Sequence, residues 1–440
     1  MSQSEAIYQR ARKVLPGGIS RNTIFRLPQP FYAKAGAGCY LTDLEGVQRI
    51  DFSNNVASLI HGHAHPAIVQ AITEQASRGT AFGIGTEAEV LYAEHLCARV
   101  PGFDKIRFVN SGSEAIMAAI KASRAFTGRP KIAKVEGAYH GGYDYAEVSQ
   151  TANPGNWGAV ERPSVTPVSK GTPNGVLQDV VVIPYNDPVR AIKLLDENAN
   201  QIACVLIDLL PHRVGFVPAT QEFVQAISDW TKKNQALLVF DEIITFRSQF
   251  AGAQQNYGIR PDLTTLGKII GGGFPAGAFA GRDDVMRVLD PTQKVLPMPH
   301  SGTFSANAMT MTVGRTAMEL FDQQAVTRLN RLGQMAREQI NDAIRTADIP
   351  ACVTGIGSIF RVHLKPTAPT DYRSCYSSAE QSKVLSVLVD HLFDSGIMLI
   401  DSCSGTLSTP MTEKEIGRLV ESLLSGFKKI KPMLDDAVPH

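Results

Sequence analysis

The chain has 440 residues, of which 44% are hydrophobic and 19% charged, so it can bury a large core and is long enough for about two or three domains. Its 43 Lys and Arg residues balance 42 Asp and Glu residues, which argues against a nucleic-acid-binding protein. No segment holds the roughly 18 consecutive apolar residues of a membrane helix. The six cysteines are scattered and form no C-x-x-C pair, which predicts a cytoplasmic protein. We expect its partners to be small molecules or copies of itself.

Residues 1–60 predict an N-terminal arm that forms part of a smaller domain. Within this arm, "CYLTDLEGVQRIDF" predicts a β-hairpin about its Glu-Gly turn. Just beyond the arm, "HGHAH" places His61, His63 and His65 two residues apart. On a strand, that spacing would put three imidazoles on one face, as in a metal hydrolase. No Asp or Glu companion motif follows the histidines, so we predict that they bind no metal.

Residues 61–315 predict a large α/β domain. Short apolar runs that end in polar or glycine residues alternate here with helical patterns, which is typical of a mainly parallel sheet. The runs include "DVVVIPYND", "IACVLIDLLP" and "QALLVFDEIITF". From residue 316 to residue 440, a long amphipathic helical stretch, a strand in "SIFRVHLKP" and a closing helix in "EKEIGRLVESLLSGFKKI" predict a smaller α+β domain.

One segment of the large domain has the geometry of an anion site. In "IRFVNSGSEAIMAAIKASRAF", a strand turns through Ser111, Gly112 and Ser113 into a helix. Such a turn aims backbone N–H groups and the positive helix end at a ligand, and a phosphate suits it well. A serine cap without any ligand explains this stretch equally well when it is taken alone.

The long connection 146–178 is rich in Pro, Gly, Ser, Thr and Asn and shows little periodicity. A connection of this length inside a compact domain is either disordered or a functional lid. Trp157 lies in its middle. Because a flexible linker rarely carries a large aromatic residue, we interpret the segment as a lid.

Two further residues carry reactive groups. The apolar run "ALLVFDEI" places Asp241 at the carboxyl end of a buried parallel strand, where open α/β sheets bind their ligands and where a charge needs a cationic partner. In "TTLGKIIGGGFPAGAF", Lys268 precedes glycine turns that let the backbone approach a bound ring. Burial would lower the pKa of this lysine, so that the neutral amine can attack a carbonyl.

These elements together suit one cofactor. A lysine nucleophile, an aspartate for a pyridinium nitrogen and a helix N-terminus for a phosphate are the contacts that pyridoxal phosphate requires. Two nucleotide loops fit less well. The stretch "GGGFPAG" lacks the G-x-G-x-x-G spacing of a dinucleotide loop, and Ile269 after "GK" excludes a Walker loop.

The chain resembles the class III aminotransferases of pyridoxal phosphate fold type I, and within them glutamate-1-semialdehyde aminomutase and its aminotransferase relatives. The matching segments include "LTDLEGVQRIDF", "FVNSGSEA", "EGAYHGGYDY", "VFDEIITFR", "PDLTTLGKIIGGGFPAGAFAGR" and "SGTFSAN". The resemblance implies an α/β fold with a mainly parallel seven-stranded sheet and a smaller α+β domain. It also implies a homodimer with the site at its interface, and an amino donor and a keto acid acceptor as substrates.

The same resemblance assigns roles to individual residues. Lys268 would hold pyridoxal phosphate as an internal aldimine and move the substrate proton, and Asp241 would keep the pyridine nitrogen protonated. The other implied cofactor contacts are Ser111, Gly112 and Ser113 at the phosphate, Tyr139 on one ring face, Ile243 on the other face, Asp208 near the ring, His140, and Thr303 reaching the phosphate of the neighbouring subunit.

Departures from the aminomutase pattern bear on the reaction. Where aminomutases carry a stretch resembling "NSPVRAF", this chain reads "PGGISRNTIFRLPQP", in which Arg21 is the expected carboxylate clamp, with Arg26 and Arg213 in reserve. The C-terminal stretch "IDSCSGTLSTPMTEKEI" has no carboxylate between Asp401 and Glu413. Connection 146–178 also differs from the aminomutase gate.

These departures predict ping-pong transamination between two separate substrates. The expected donor is a carboxylate-bearing amino acid, of the β- or D-amino acid class by analogy with relatives. A true glutamate-1-semialdehyde aminomutase is the main alternative. Epimerisation or decarboxylation on the same scaffold is a third, and a non-catalytic regulator that binds pyridoxal phosphate is disfavoured because the lysine, the aspartate and the phosphate turn are all present.

Overall fold

The computed structural model describes residues 2–435. The strands in chain order are β1 (Ala33–Ala37), β2 (Tyr40–Asp43), β3 (Gln48–Asp51), β4 (Lys105–Val109), β5 (Lys131–Val135), β6 (Gly158–Ala159), β7 (Arg162–Pro163), β8 (Val180–Ile183), β9 (Ile202–Asp208), β10 (Leu237–Asp241), β11 (Leu263–Gly267), β12 (Gly277–Gly281), β13 (Cys352–Thr354), β14 (Ile359–His363), β15 (Ile397–Met398) and β16 (Ser404–Thr406). The helices are α1 (Gln3–Ala11), α2 (Asn54–Ala57), α3 (Pro66–Ala76), α4 (Glu87–Arg99), α5 (Gly112–Thr127), α6 (Asp144–Glu147), α7 (Asn174–Gln178), α8 (Pro188–Asp196), α9 (Gln221–Asn234), α10 (Asp283–Met286), α11 (Ala308–Leu320), α12 (Gln323–Ala347), α13 (Tyr372–Cys375), α14 (Ala379–Asp394) and α15 (Glu413–Asp435).

A seven-stranded sheet organises the large domain, with strand order β4-β12-β11-β10-β9-β5-β8. Strand β12 runs antiparallel to both of its neighbours, and the other six strands point the same way. Every residue of β8 to β12 is buried, as expected for a sheet covered on both faces. The prediction of a mainly parallel seven-stranded sheet is confirmed.

The sheet brings distant residues to one edge. Asp208 ends β9 and lies opposite Asp241, which ends β10. Asp241 in turn lies opposite Thr265 of β11, and β11 ends at Gly267, directly before Lys268. Because parallel strands all present their carboxyl ends at the same edge, the two carboxylates and the lysine share one cleft.

The N-terminal and C-terminal parts of the chain form further sheets together. The predicted hairpin is confirmed, since β2 and β3 pair antiparallel around Gly46, and β15 adds to β3 in parallel. Strands β13, β14 and β16 form a separate sheet. The domain boundaries at residues 60 and 315 stay a prediction, and residue 315 lies inside α11.

The sequence predicts one continuous helical stretch after residue 316, and the structure differs from that prediction. It is split between α11 and α12, because the Asp322 side chain accepts a hydrogen bond from the Ala325 N–H and starts a new helix. The apolar face of α12 packs against α15. Between residues 2 and 435, no helix combines the length and apolar character that a membrane crossing requires.

Connection 146–178 is more ordered than its composition suggests. It contains the β6/β7 hairpin and α7. Trp157 is half-buried and packs edge-on against Tyr372 and Tyr376, with ring centroids 6.5 and 5.5 Å away. Arg373 donates hydrogen bonds to the backbone carbonyls of residues 157–159 and forms an ion pair with buried Glu136. The segment is therefore docked on α13, and its movement as a lid stays a prediction.

Helix α2 is in fact a left-handed turn. Asn54, Asn55, Val56 and Ala57 have φ values of 47°, 49°, 56° and 69°. For a non-glycine residue, this conformation costs about 1–3 kcal/mol and persists only where surrounding contacts enforce it. The presence of β-branched Val56 makes the strain greater. The two asparagines tolerate this conformation, but Val56 and Ala57 do not favour it, and the turn was not predicted.

Gly137 offers a direct test of the packing against Tyr372 that positions the residues after Gly137 in the chain. Its φ is +75°, and a Cβ there would lie 1.9 Å from the Tyr372 ring. We expect Gly137→Ala to lower the free energy of unfolding by about 2–4 kcal/mol, from backbone strain and the clash together. Gly128→Ala is the matched control, since Gly128 has φ +69° but nothing within 4 Å, and should cost only about 1–2 kcal/mol. Equal losses in urea unfolding would contradict this packing.

Candidate active site

Lys268 stands at the centre of the cleft. It follows β11 directly, has φ +50° and is half-buried. Burial lowers the pKa of its amine, and the charges of Asp241 and Asp208 only partly oppose that effect. Among residues 2–435 the amine makes no hydrogen bond or ion pair. Lys268 thus presents an unengaged amine with a lowered pKa, and a lower pKa makes the neutral, nucleophilic form more accessible.

Asp241 is held rigidly beside this lysine. Its side chain is 4% exposed. One carboxylate oxygen accepts from Ile243 N–H at 3.0 Å, and the other lies 2.7 Å from His140 Nδ1. Because an ionised carboxylate only accepts hydrogen bonds, the imidazole N–H is the donor in this pair. Burial lowers the pKa of His140, which favours the neutral ring.

Asp208 lies one strand away from Asp241 in register. Its carboxyl group accepts from Leu210 N–H at 2.8 Å. Burial, together with the nearby charge of Asp241, raises the pKa of Asp208 well above its usual range. Burial thus favours the protonated form of Asp208.

The start of α5 forms the anion-binding turn. The Ser111 hydroxyl accepts from Glu114 N–H at 3.1 Å, so the serine cap is present. The Ser113 hydroxyl accepts from Gly142 N–H at 3.2 Å, which ties this turn to the segment that carries Tyr139 and His140. A 16-residue helix begins at Gly112, and this positive helix end lies beside Ile243 and Gly267, the residue before Lys268.

Two side chains border the space between this turn and Lys268. A Cβ on Gly112 would lie 2.8 Å from Ile243, so only glycine leaves room there for the isoleucine. Ile243 also approaches Gly267, the residue before the lysine. Tyr139 remains 41% exposed and meets His212 edge-on at 5.5 Å. An aliphatic surface and an accessible aromatic ring thus border the cleft.

The donor set fits pyridoxal phosphate. A helix N-terminus for the phosphate, a buried anion for the pyridine nitrogen and a free amine for the aldehyde lie in one cleft. When bound, the cofactor supplies a ring that withdraws electrons from the substrate carbon.

Comparison with known proteins decides the family. Residues 26–409 match the family model of the class-III aminotransferases. The protein belongs to this family. It is a class III aminotransferase and uses pyridoxal phosphate.

Three relatives of this class III aminotransferase are informative. Glutamate-1-semialdehyde 2,1-aminomutase of Methanothermobacter thermautotrophicus is 39% identical over 362 residues, which cover 82% of this chain and 83% of the relative. An omega-transaminase from Sphaerobacter thermophilus is 43% identical, with a TM-score of 0.96 and 98% of each chain covered. A β-phenylalanine aminotransferase from Variovorax paradoxus is 32% identical, with a TM-score of 0.86 and coverage of 96% of this chain and 93% of that one.

The three arginines considered for substrate binding differ in position. Arg21 donates to the Asn55 side chain at 2.8 Å, and its charge helps to lower the pKa of Lys268. The Arg213 guanidinium lies 5.7 Å from the Tyr139 ring centroid, and its Nε is buried without a partner. Arg26 instead pairs with Asp390 on α14 and stacks on a phenylalanine ring, so its reserve role as a clamp is not supported.

Thr303 lies apart from these residues. It is exposed on the single chain, and the adjacent Phe304 is 61% exposed. A contact to a neighbouring subunit's phosphate therefore stays a prediction.

The histidines of "HGHAH" have separate structural partners. His61 lies within 2.9 Å of both the Thr409 hydroxyl and the Ala317 carbonyl oxygen. His63 pairs with Asp51 at 2.9 Å. The segment is not a continuous strand, and His65 lies beside His61 with ring centroids 5.4 Å apart.

Sequence reasoning missed two buried cations of the class III aminotransferase. Lys134 in β5 donates to the carbonyl oxygens of Ala138 and Val148 at 3.0 and 2.6 Å, and burial lowers its pKa to about 7. It thereby fixes both ends of the loop that carries Tyr139. Arg247 is fully buried and donates to Ser358 and to the Ala57 carbonyl oxygen. The second lysine of "KIAKV", which interrupts a buried apolar run, was the available signal for Lys134.

Proposed function

We propose that the protein transfers an amino group from a carboxylate-bearing amino donor to a separate keto acid, in a ping-pong sequence. One observation carries the proposal. Arg21 and Arg213 border the cleft of Lys268, and within the described chain neither has a carboxylate partner. A guanidinium in this position is suited to bind a carboxylate with two parallel hydrogen bonds.

The proposed donor is a β- or D-amino acid. The name of the β-phenylalanine aminotransferase that this chain resembles over nearly its whole length favours the β-amino acids. Similarity to an omega-transaminase at 43% identity favours transfer between two separate molecules.

Each cleft residue has a proposed task. Lys268 holds the cofactor and moves the proton at its Nζ atom. Asp241, oriented by His140, keeps a proton on the ring nitrogen. The remaining tasks are phosphate binding by Ser111, Gly112 and Ser113, contact with the ring by Tyr139 and Ile243, and carboxylate binding by Arg21 and Arg213.

We also propose a homodimer in which Thr303 completes the phosphate site of the neighbouring subunit. Several large apolar side chains are highly exposed on the single chain, which supports an interface: Ile84 at 82%, Val295 at 77% and Phe304 at 61%. The six cysteines are all free thiols, which supports a reducing, cytoplasmic location. Sedimentation of the purified protein tests the dimer.

A donor panel tests the proposed reaction. Holoenzyme is mixed with β-phenylalanine, α-amino acids of both hands, or 1-phenylethylamine, and the cofactor's visible absorbance is followed without an acceptor. Loss of that absorbance with release of a keto product from β-phenylalanine supports the proposal. A cofactor that no amino acid changes, together with turnover of glutamate 1-semialdehyde, contradicts it.

Arg21 gives the most specific test of substrate binding. We expect Arg21→Lys to raise KM for β-phenylalanine about 10–100-fold, because lysine cannot reproduce the two parallel hydrogen bonds. The KM for 1-phenylethylamine, which has no carboxylate, should not rise. Arg26→Lys is the matched control, since Arg26 is engaged with Asp390. If both variants behave alike in steady-state kinetics, Arg21 is not the clamp.

The alternative is an intramolecular aminomutase. It is favoured by the printed names of several relatives that are 36–39% identical over more than four-fifths of this chain. Its signature would be conversion of glutamate 1-semialdehyde to its isomeric amino ketone with no external acceptor.

A further inference from the structure

The left-handed turn 54–57 is enforced from several sides. Asn54 donates through its backbone to Asp51 at 2.8 Å and through its side chain to the Thr406 carbonyl oxygen at 2.7 Å. The Ala57 carbonyl oxygen accepts from buried Arg247 at 3.3 Å. Contacts from β3, β16 and the segment after Asp241 therefore hold a strained conformation that the turn would not adopt alone.

Asn55 is the one residue of this turn that is exposed. Its Oδ1 accepts a hydrogen bond from Arg21 Nη1 at 2.8 Å, and its Nδ2 donates to the Ser58 hydroxyl at 3.1 Å. The second contact leaves the amide in a single orientation, with its oxygen toward the arginine. The strained backbone thus directs one neutral acceptor at the Arg21 guanidinium.

The same turn lies next to the reactive lysine. Its Ala57 is bound by Arg247, which follows Asp241 by six residues in the chain. Leu59, two residues further on, lies close to the glycine turn after Lys268, since a Cβ on Gly273 would be 3.4 Å from its side chain. The positive charge of Arg21 also acts on Lys268. Arg21 is therefore held beside the cleft of Lys268.

We propose that Asn55 is a positioning residue that holds Arg21 in place until a substrate carboxylate displaces its amide oxygen. This inference rests on the proposed function. It adds a residue that sets how strongly the enzyme selects donors with a carboxylate over simple amines.

The neutrality of the amide is the essential property. A hydrogen bond between a guanidinium and an amide is weaker than one to a carboxylate, because only the carboxylate carries a full charge. Asn55 can therefore orient Arg21 and still release it to the substrate. An aspartate here would form a permanent ion pair with Arg21 and compete with every carboxylate-bearing donor.

Asn55→Asp tests this role, because aspartate tolerates the left-handed conformation about as well as asparagine does. We expect the KM for β-phenylalanine to rise about tenfold or more, with a matching loss in the affinity for 3-phenylpropionate measured by calorimetry on holoenzyme. The KM for 1-phenylethylamine should not rise. Asn22→Asp adds the same charge beside Arg21 in the chain but lacks the contact to its guanidinium, and should change none of the three values more than about twofold.

Asn55→Gly supplies a second variant that folds readily, because glycine relieves the backbone strain. Without the amide, Arg21 loses its fixed position, so affinity for 3-phenylpropionate should fall about threefold to tenfold while the melting temperature does not fall.

The outcomes separate the two proposals. If wild-type enzyme uses β-phenylalanine but Asn55→Asp binds 3-phenylpropionate as Asn22→Asp does, the role of Asn55 is wrong and the proposed function stands. If wild-type enzyme neither binds 3-phenylpropionate nor accepts any carboxylate-bearing donor, the proposed function fails and this inference fails with it.

Discussion

Replacement of Lys268 by alanine should leave a folded protein that no longer retains pyridoxal phosphate covalently, with transamination reduced by about 10³-fold or more. The fold should persist because the lysine amine makes no hydrogen bond within the described chain, and alanine can occupy the same backbone position at φ +50° at similar cost. The loss follows because, among residues 2–435, Lys268 supplies the unengaged amine on which the charge of Asp241 acts. Borohydride reduction, followed by peptide mass mapping, shows which residue carries the cofactor.

Lys134 is the informative comparison in that experiment. Burial also lowers its pKa, to about 7, but its amine is engaged by two carbonyl oxygens within 3.0 Å. A low pKa alone therefore does not make a lysine available. An adduct on the peptide of Lys134, or an unchanged adduct in Lys268→Ala, would show that the nucleophile has been misassigned.

Asp241→Asn should reduce kcat by about 10²–10³-fold, with a much smaller change in KM. The substitution keeps the size of the side chain, and its amide can still accept from Ile243 N–H and face His140. What the substitution removes is the carboxylate that, in the proposed role of Asp241, would hold a proton on the ring nitrogen. Without that proton, the ring withdraws electrons from the substrate carbon less strongly. Single-turnover kinetics with β-phenylalanine measure this effect on the chemical step.

Asp208→Asn provides the control for that substitution. The two aspartates lie opposite each other on neighbouring strands and are equally buried. The pKa of Asp208 is raised well above its usual range by burial and by Asp241, so an uncharged amide replaces a group that already favours its uncharged form. The expected change in kcat is less than about tenfold. Equal effects of the two substitutions would contradict the assignment of Asp241 as the cleft's anion.

Much of the fold and the family was predictable because the relevant patterns are local. Apolar runs that end at Asp208 and Asp241 mark buried strands, and a parallel sheet must bring their ends to one edge. The turn at Ser111 and the glycines after Lys268 likewise carry short-range signals. Resemblance to the class III aminotransferases added the order in which these pieces join.

The features of the fold and the site that the sequence did not predict depend on contacts between residues far apart in the chain. Arg373 binds Glu136 and the backbone near Trp157, more than 200 residues earlier in the chain. No local sequence pattern indicates that contact, so the composition of connection 146–178 predicts less order than the structure shows. The turn at Asn55 is similar, because its conformation is enforced by Thr406 and Arg247 rather than by its own residues. Asn54 and Asn55 tolerate positive φ, but they do not by themselves specify four consecutive residues in that conformation.

The most direct test of the central claim follows the nitrogen atom. Holoenzyme is incubated with nitrogen-15-labelled β-phenylalanine and an unlabelled keto acid, and both products are analysed by mass spectrometry. The account predicts that the label appears in the amino acid formed from the keto acid, with one equivalent of the keto product of β-phenylalanine. If no label reaches the acceptor under any of these conditions, while glutamate 1-semialdehyde rearranges with its own nitrogen retained, the protein is an aminomutase and the account is wrong.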